Sequence, residues 1–410
     1  MTTLEDARTP APARLRKRFA ERFGNAGARP LAFASAPGRV ELAGNHTDHQ
    51  GGRTISAAID RRIYALAAPN GTDEMRVSME SFGDIALSCG DLDARESERG
   101  TSLALVRGMA AAFVRAGGRL SGFDAATCSD IPAGAGVSSS AAFEMLVGVL
   151  LRVLCDPTGA VPCDPVALAL EGAQVEQAYF GKPCGVQDQL ASAQGGAAAF
   201  DFAGDLPRVE PIAFDWEACG YALCLVDSRC DHSVHADEYA AVPADMRAVA
   251  RRFGCERLED VPYPVFLARL ADGRAHLGDR AALRALHYFE ETRRVAAQQR
   301  ALESGDIEGF LEGVRQSGAS SAQFLQNVSP RGDGLGARQP AMMVLALCAH
   351  LLDGRGAYRI HGGGFGGSAL AFVPAEDIDA FCESMDALLG YDACLRAKVD
   401  GRGAYAERMA

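Results

Sequence analysis

Residues 131–146, IPAGAGVSSSAAFEML, join a run that reads as a strand (123–129) to one that reads as a helix (Ser139 to Leu154). Two glycines and three consecutive serines at that junction leave the chain few options. Gly134 and Gly136 allow a tight turn and let backbone amides come close to a ligand. Ser138, Ser139 and Ser140 fall at the helix start, where free N–H groups and the helix dipole favour negative charge. With Ala135 and Val137 between and after the glycines, the segment reads as a phosphate cradle that uses no lysine. It is not a Walker A loop, because GxxxxGK[ST] occurs nowhere in the chain. An ordinary serine N-cap would account for one serine, but not for both glycines and the whole serine run.

The elements around this turn set the fold class. Residues 12–24 form an amphipathic helix pattern with Leu15, Phe19 and Phe23 on one face. LAFASAPGRVEL, GRTISAAIDRRIYALAA and EMRVSMESF alternate and carry β-branched residues, so they read as strands. Helices are expected at 103–116 and 165–180, and strands at AAAFDF and CGYALCLVDS. Helical runs follow at 237–254, 279–303, 305–325 and 339–353, then a strand–glycine turn–strand, YRIHGGGFGGSALAFV, and a helix at 375–389. A chain of 410 residues is long for one core. The order suits an α+β protein of two domains, residues 1–200 and 201–410.

Composition narrows the function. A net charge of −12 argues against a general nucleic-acid surface or a polybasic membrane surface. Only Lys17, Lys182 and Lys398 are lysines, so phosphate chemistry is expected to rely on arginine, backbone amides or a metal. The twelve cysteines form no CxxC pair and sit mostly in apolar runs, where a free thiol behaves as a small hydrophobe. The N-terminus carries early acids and no apolar export segment, and the most apolar run, AAFEMLVGVLLRVL, is broken by Glu144 and Arg152. A cytoplasmic protein with small-molecule partners is expected, its oligomeric state left open.

Two other segments invite familiar readings. HGGGFGGSALAF at 361–372 contains GxGxxG, but it precedes a strand rather than opening a helix, so the dinucleotide-binding reading lacks its context. Close approach of two backbones, or of a backbone and a ligand, explains it better. GNHTDHQGG at 44–52 offers His46 and His49 at HxxH spacing. With no third ligand nearby and glycines on both sides, a zinc site is rejected.

APGRVELAGNHTDHQGG, PAGAGVSSSAA and GGGFGGSALAF, in that order, resemble the three motifs of the GHMP small-molecule kinases, and within them the galactokinase branch. CGVQDQLASAQGG (184–196) is similar to that branch's CGIMDQ segment, and DEYAAV (237–242) to its SEY. The resemblance implies a two-domain fold with the active site in the cleft between the domains. It implies phosphoryl transfer from ATP to the anomeric hydroxyl of galactose, with Mg²⁺. Asp188 is then the aspartate beside the reacting hydroxyl, and Arg39 the arginine that holds it ionised. Gly134, Ala135, Gly136, Val137, Ser138, Ser139 and Ser140 hold the nucleotide, and Ser140 and Glu176 the magnesium. Asn45, His46, Thr47, Asp48, Gly185 and Tyr239 contact the sugar.

The chain departs from the branch pattern at Asn45, usually glutamate, and at His49, usually tyrosine. The residues after Tyr239, AAVPADMR, lack the usual paired arginines. Asparagine both donates and accepts hydrogen bonds where glutamate only accepts. An anomeric kinase for an amino sugar or uronic acid, and a non-catalytic sugar sensor, are the alternatives. Intact Arg39, Asp188 and serine loop weigh against the sensor.

Overall fold

In a computed structural model of the chain, residues 10–25, 27, 29–80, 82–132, 136–156, 158–182, 184–230, 236–329 and 338–409 are described. Gly134 and Ala135 lie outside the described residues. Alanine, valine and leucine leave Ala32–Ala43 (β1) almost no solvent face, as befits a strand covered on both sides. A 17-residue strand, Arg53–Pro69 (β2), pairs antiparallel with it. The length of β2 lets it serve two further partners. Its first half pairs with Ala197–Asp201 and its second half with Phe123–Ser129.

Between these lie β3 (Glu74–Met79), β4 (Gly83–Ser88) and β5 (Phe123–Ser129), and beyond them β6 (Ala197–Asp201) and β7 (Arg208–Ile212). Together with β12 (Tyr405–Arg408) they form an eight-stranded sheet with a β12-β1-β2-β5-β3-β4 path, from which β6 and β7 branch at β2. Among the described residues only the β3–β5 pair is parallel. The helices are α1 (Ala11–Phe23), α2 (Ser102–Arg115), α3 (Ser139–Cys155), α4 (Pro165–Val175) and α5 (Gln187–Gln194) in the first half.

Period-two alternation sorts them onto two faces. Leu66, Ala68, Ala126 and Cys128 meet Leu15 and Phe19 of α1, so that amphipathic pattern is used as expected. Their neighbours Ala65, Ala67 and Ala125 face α2 to α5 in the main core.

The second sheet is antiparallel, β11-β8-β10-β9, from β8 (Tyr221–Cys230), β9 (Ala357–Ile360), β10 (Gly367–Pro374) and β11 (Cys394–Ala397). Its helices are α6 (Ala236–Arg252), α7 (Tyr263–Ala268), α8 (Leu270–Glu303), α9 (Ile307–Ser320), α10 (Pro340–Leu352) and α11 (Ile378–Leu389). Cys224, Val226, Ala369 and Ala371 face α10 and α11. Leu223, Leu225, Leu370 and Phe372 face the other way and join the main core with Val295 and Phe310. The apolar interior therefore runs from one sheet to the other. No helix among the described residues is long and apolar enough to cross a membrane.

A polar clasp crosses the same boundary. Arg359 on β9 is fully buried; its Nη2 donates to the Glu41 carboxylate at 2.6 Å and to the Glu41 carbonyl at 2.9 Å. Asn45 is also fully buried, with every side-chain valence engaged. Its Nδ2 donates to Glu41 Oε1 at 3.1 Å and to the Gly362 carbonyl. Its Oδ1 accepts from Asn327 at 2.8 Å and Ser321 at 3.3 Å. His287 Nε2 donates to its carbonyl at 2.9 Å.

Removing one member of a buried ion pair strands the other. Arg359→Leu should lower the unfolding free energy by about 3–5 kcal/mol, read from the urea midpoint. Asn45→Asp replaces a donor facing Glu41 with a like charge and should cost at least about 1–3 kcal/mol in the same titration. A midpoint unchanged in both variants would remove the clasp from the fold's supports.

Candidate active site

The expected phosphate loop and the APGRVEL strand meet at a close backbone contact. A Cβ on Gly38 would stand 2.9 Å from the Val137 carbonyl oxygen, so only glycine lets the loop lie on β1. The Arg39 amide donates to that carbonyl at 3.1 Å, and the register of β1 against β2 shifts between Pro37 and Arg39. The bulge turns the Arg39 side chain toward the start of α5.

Arg39 and Asp188 form a two-pronged ion pair. Nε reaches Oδ1 at 2.7 Å and Nη2 reaches Oδ2 at 2.9 Å, while Nη1 donates to the Gly136 carbonyl at 2.8 Å. Ser138 Oγ donates to Asp188 Oδ2 as well. Burial alone would push the Asp188 carboxyl up, but the Arg39 charge and these hydrogen bonds overcome it and hold it at about 2. The carboxylate is therefore ionised at every physiological pH. Ser138 has a left-handed backbone (φ 58°) and makes no side-chain cap on α3, because its hydroxyl is turned to Asp188. The first amides of a 17-residue helix thus keep their donors free of a side-chain cap.

A second cluster lies one residue further along α5. Ser140 Oγ donates to Glu176 Oε1 at 2.9 Å. Gln189 Nε2 bridges Glu176 Oε2 at 2.8 Å and Glu144 Oε2 at 2.9 Å. Burial, followed by the nearby Glu176 charge, raises the Glu144 carboxyl well above its ordinary range, so two buried glutamates share one amide. Lys182 Nζ pairs with Glu176 at 3.1 Å. The sequence reading assigned Lys182 no role; its spacing to Glu176 and its position before the CGVQDQ segment were the available signals. Glu176 opens a π-helical turn, Glu176–Phe180, that continues α4. Such widened turns are frequent at functional sites.

The 44–52 loop forms the third cluster. Gly185 is packed so tightly on Asp48 that a Cβ there would come within 2.0 Å of Oδ2. Burial is the main reason the Asp48 carboxyl is raised to about 6, with Glu41 and Asp188 adding to it. His46 takes a left-handed backbone (φ 56°), its Nε2 lies 2.9 Å from the Gly363 carbonyl, and its ring packs 5.2 Å from that of Tyr239. Burial lowers His46 to about 4, so the ring is neutral and Nε2–H is the donor. Its Nδ1 lies 3.4 Å from His49 Nε2, so the HxxH histidines bond to each other.

Two residues expected to contact a ligand also brace the fold. The Asn45 amide takes part in the clasp through both Nδ2 and Oδ1. The Thr47 hydroxyl is buried against the Gly44 and Arg53 carbonyls, at 3.1 and 2.7 Å, where it braces the loop. Sequence spacing could not show the Asn45 contacts to Ser321 and Asn327, which are close to 280 positions away, whereas Thr47 bonds within its own loop.

The glycine turn 361–366 serves close approach, not dinucleotide binding, and it leads into β10. Gly363 would strike the Tyr239 ring at 2.3 Å and Gly364 the Asn327 carbonyl at 2.2 Å if either bore a Cβ. His361 Nε2 accepts from the Glu41 amide at 2.9 Å and so ties this turn to β1. Beside Ser139 and Ser140 a cavity of about 970 Å³ opens, with Phe82, Leu103, Phe143 and Phe180 among its walls. Neither His361 nor this cavity was read from the sequence.

Comparison with known proteins agrees with this arrangement. Residues 17–69 match the galactokinase galactose-binding signature, and residues 104–196 the GHMP kinase N-terminal domain. The chain is 32% identical over 391 residues to a galactokinase of Streptomyces coelicolor, covering 90% of this chain and 91% of that protein. Its fold superposes on Lactococcus lactis galactokinase complexed with galactose, with a TM-score of 0.81, 24% identity and coverage of 96% and 99% of the two chains. A D-glycero-D-manno-heptose 1-phosphate kinase from Bacteriodes thetaiotaomicron matches with a TM-score of 0.61 at 15% identity, over 92% and 99% of the chains. With its sequence, fold and signature segments in agreement, the chain belongs to the galactokinase family of the GHMP kinases, ATP-dependent sugar kinases.

Proposed function

We propose that this protein transfers the γ-phosphoryl group of ATP to the anomeric hydroxyl of galactose, with Arg39 and Asp188 at the reacting centre. The observation that carries this reading is the two-pronged Arg39–Asp188 pair, set between the serine loop and the 44–52 loop. Residues 1–200 would supply the phosphate loop and catalytic aspartate, and 201–410 the second lobe, with β7 and β12 completing the first sheet. The twelve free cysteines fit a reducing, ATP-containing compartment such as the cytoplasm.

Phosphoryl transfer passes through a loose, highly charged transition state, so positioning and charge stabilisation do most of the work. A carboxylate held near 2 is a weak base toward a free hydroxyl. Asp188 orients the O–H and takes its proton only as the new P–O bond makes that oxygen acidic. Arg39 keeps Asp188 charged and brings a fixed cation beside the transferring group. The uncapped start of α3, Gly136 to Ser140, offers amides and a positive dipole end to the phosphates. The apolar cavity beside Ser139 suits the adenosine.

For Mg²⁺, Ser140 and Glu176 present hard oxygen donors 2.9 Å apart. Adjacent ligands of an octahedral Mg²⁺ at about 2.1 Å lie about 3 Å from each other, so the pair fits. When bound, Mg²⁺ would neutralise charge on the phosphate oxygens. Lys182 is placed to supply positive charge to Glu176 or to an incoming phosphate. On the sugar side, Asp48, Gly185 and Tyr239 line the ligand position, and His46 fixes the Tyr239 ring.

ADP release over a panel of free sugars tests the reading. Galactose should rank among the best, with kcat in Asp188→Asn reduced by about 10²–10⁴. Turnover of no sugar by the intact protein would overturn it. Because Asp48 is ionised only above about 6, the sugar KM should rise as pH falls. At pH 5 it should be about tenfold higher than at neutral pH, while the KM for ATP changes little. Asp48→Asn should abolish that slope, and a slope retained in the variant would move the titration to another group.

A further inference from the structure

Three of the twelve free cysteines come from separate elements and meet at one point. Cys224 lies on β8, Cys382 on α11 and Cys394 on β11, and their sulfurs are all within 4.8 Å of one another. Cys224 Sγ and Cys382 Sγ are 4.0 Å apart. Among the described residues this is the one group of three or more histidine, cysteine or acidic side chains that could hold a metal ion. It lies on the α10–α11 face of the second sheet, while Leu223 and Leu225 of the same strand face the main core. The cluster is therefore separate from Arg39 and Asp188.

The surroundings hold the thiols in place. Asp386, one helical turn after Cys382, accepts the amides of Ala393 and Cys394 at 2.8 and 3.2 Å. The Asp227 amide donates to the Ala393 carbonyl at 2.9 Å, fixing the same loop to β8. Arg396 follows Cys394 by two residues and pairs with Asp379 on α11 at 2.5 Å, which brings a cation beside Cys382. Cys224 is fully buried, whereas Cys394 is partly exposed and provides a way in.

Simple packing of small hydrophobes does not call for three sulfurs from three elements with an arginine alongside. Three sulfurs each about 2.3 Å from a central ion stand about 4 Å from one another, the spacing found between Cys224 and Cys382. Thiolates select soft ions. We propose that Cys224, Cys382 and Cys394 form a three-thiolate site for a thiophilic d10 cation of the zinc or monovalent-copper class, which cross-links β8, α11 and β11. Binding forms three metal–sulfur bonds and releases the thiol protons to solvent, with no change of oxidation state. Arg396 offsets the surplus negative charge of three thiolates around a divalent ion.

Anaerobic titration of the reduced, metal-free full-length protein with Cd²⁺ tests the site. The ultraviolet thiolate-to-cadmium band should saturate at one equivalent. Cys382→Ser and Cys394→Ser should each weaken that binding at least tenfold, whereas Cys163→Ser, at an exposed and unrelated cysteine, should not. Zn²⁺ should raise the melting temperature of the intact protein and not that of Cys394→Ser. The Cys394 change is the milder one, and circular dichroism confirms that each variant is folded. The proposal is overturned if no band saturates at one equivalent, or if the band survives both substitutions.

Discussion

A buried guanidinium needs an anion, and Arg39 has one in Asp188. Each group makes the other tenable: without the carboxylate, burying Arg39 would leave an uncompensated charge, and without Arg39, burial would neutralise Asp188. Three parts of the chain must converge for this pair to exist. The bulge in β1 aims the arginine, the carbonyls of Gly136 and Val137 hold its flank, and α5 presents the aspartate from its first turn. The serine loop is fixed by the same pair, since Ser138 turns its hydroxyl to Asp188 in place of capping its own helix.

Strand β1 extends the arrangement in both directions. Arg39 and Glu41 stand two residues apart and so share a face. Arg39 engages the first half of the molecule, and Glu41 engages Arg359, Asn45 and Gln187, drawing in the second half and the helix that carries Asp188. Among the described residues two π-helical turns each open on a residue of one of these polar clusters. One begins at Glu176; the other, Ser321–Leu325, begins at the serine that donates to Asn45.

Local signals were legible where local physics decides the outcome. The glycine–serine turn opening α3, the amphipathic face of α1 and the long apolar strands all carry their own periodicity. β4, β7, β11 and β12 were not read, because they are edge strands only four to six residues long. Arg39, Asp188, Ser140 and Glu176 came from motif resemblance, and the geometry brings them into two adjoining clusters. His361 and Arg359 were missed because nothing in a sequence window reports partners more than 300 residues away, whereas Lys182, close in sequence to its partner Glu176, carried a local signal that went unread. The structural share of Asn45 was hidden by the same kind of distance: its remote neighbours show a polar side chain of a glycine loop that also ties the two halves together.

The place of β12 has a consequence for how the chain comes into being. It covers the outer edge of β1 from Ala32 to Ser35, so the strand bearing Arg39 is flanked by residues made some 370 positions apart. During synthesis the sheet must wait with that edge open, a surface able to pair with other chains. The strand that carries Arg39 is thus made well before its last partner and stays open along one edge until that partner arrives. Handling of the nascent chain bears on the yield of active protein as directly as the stability of the finished fold.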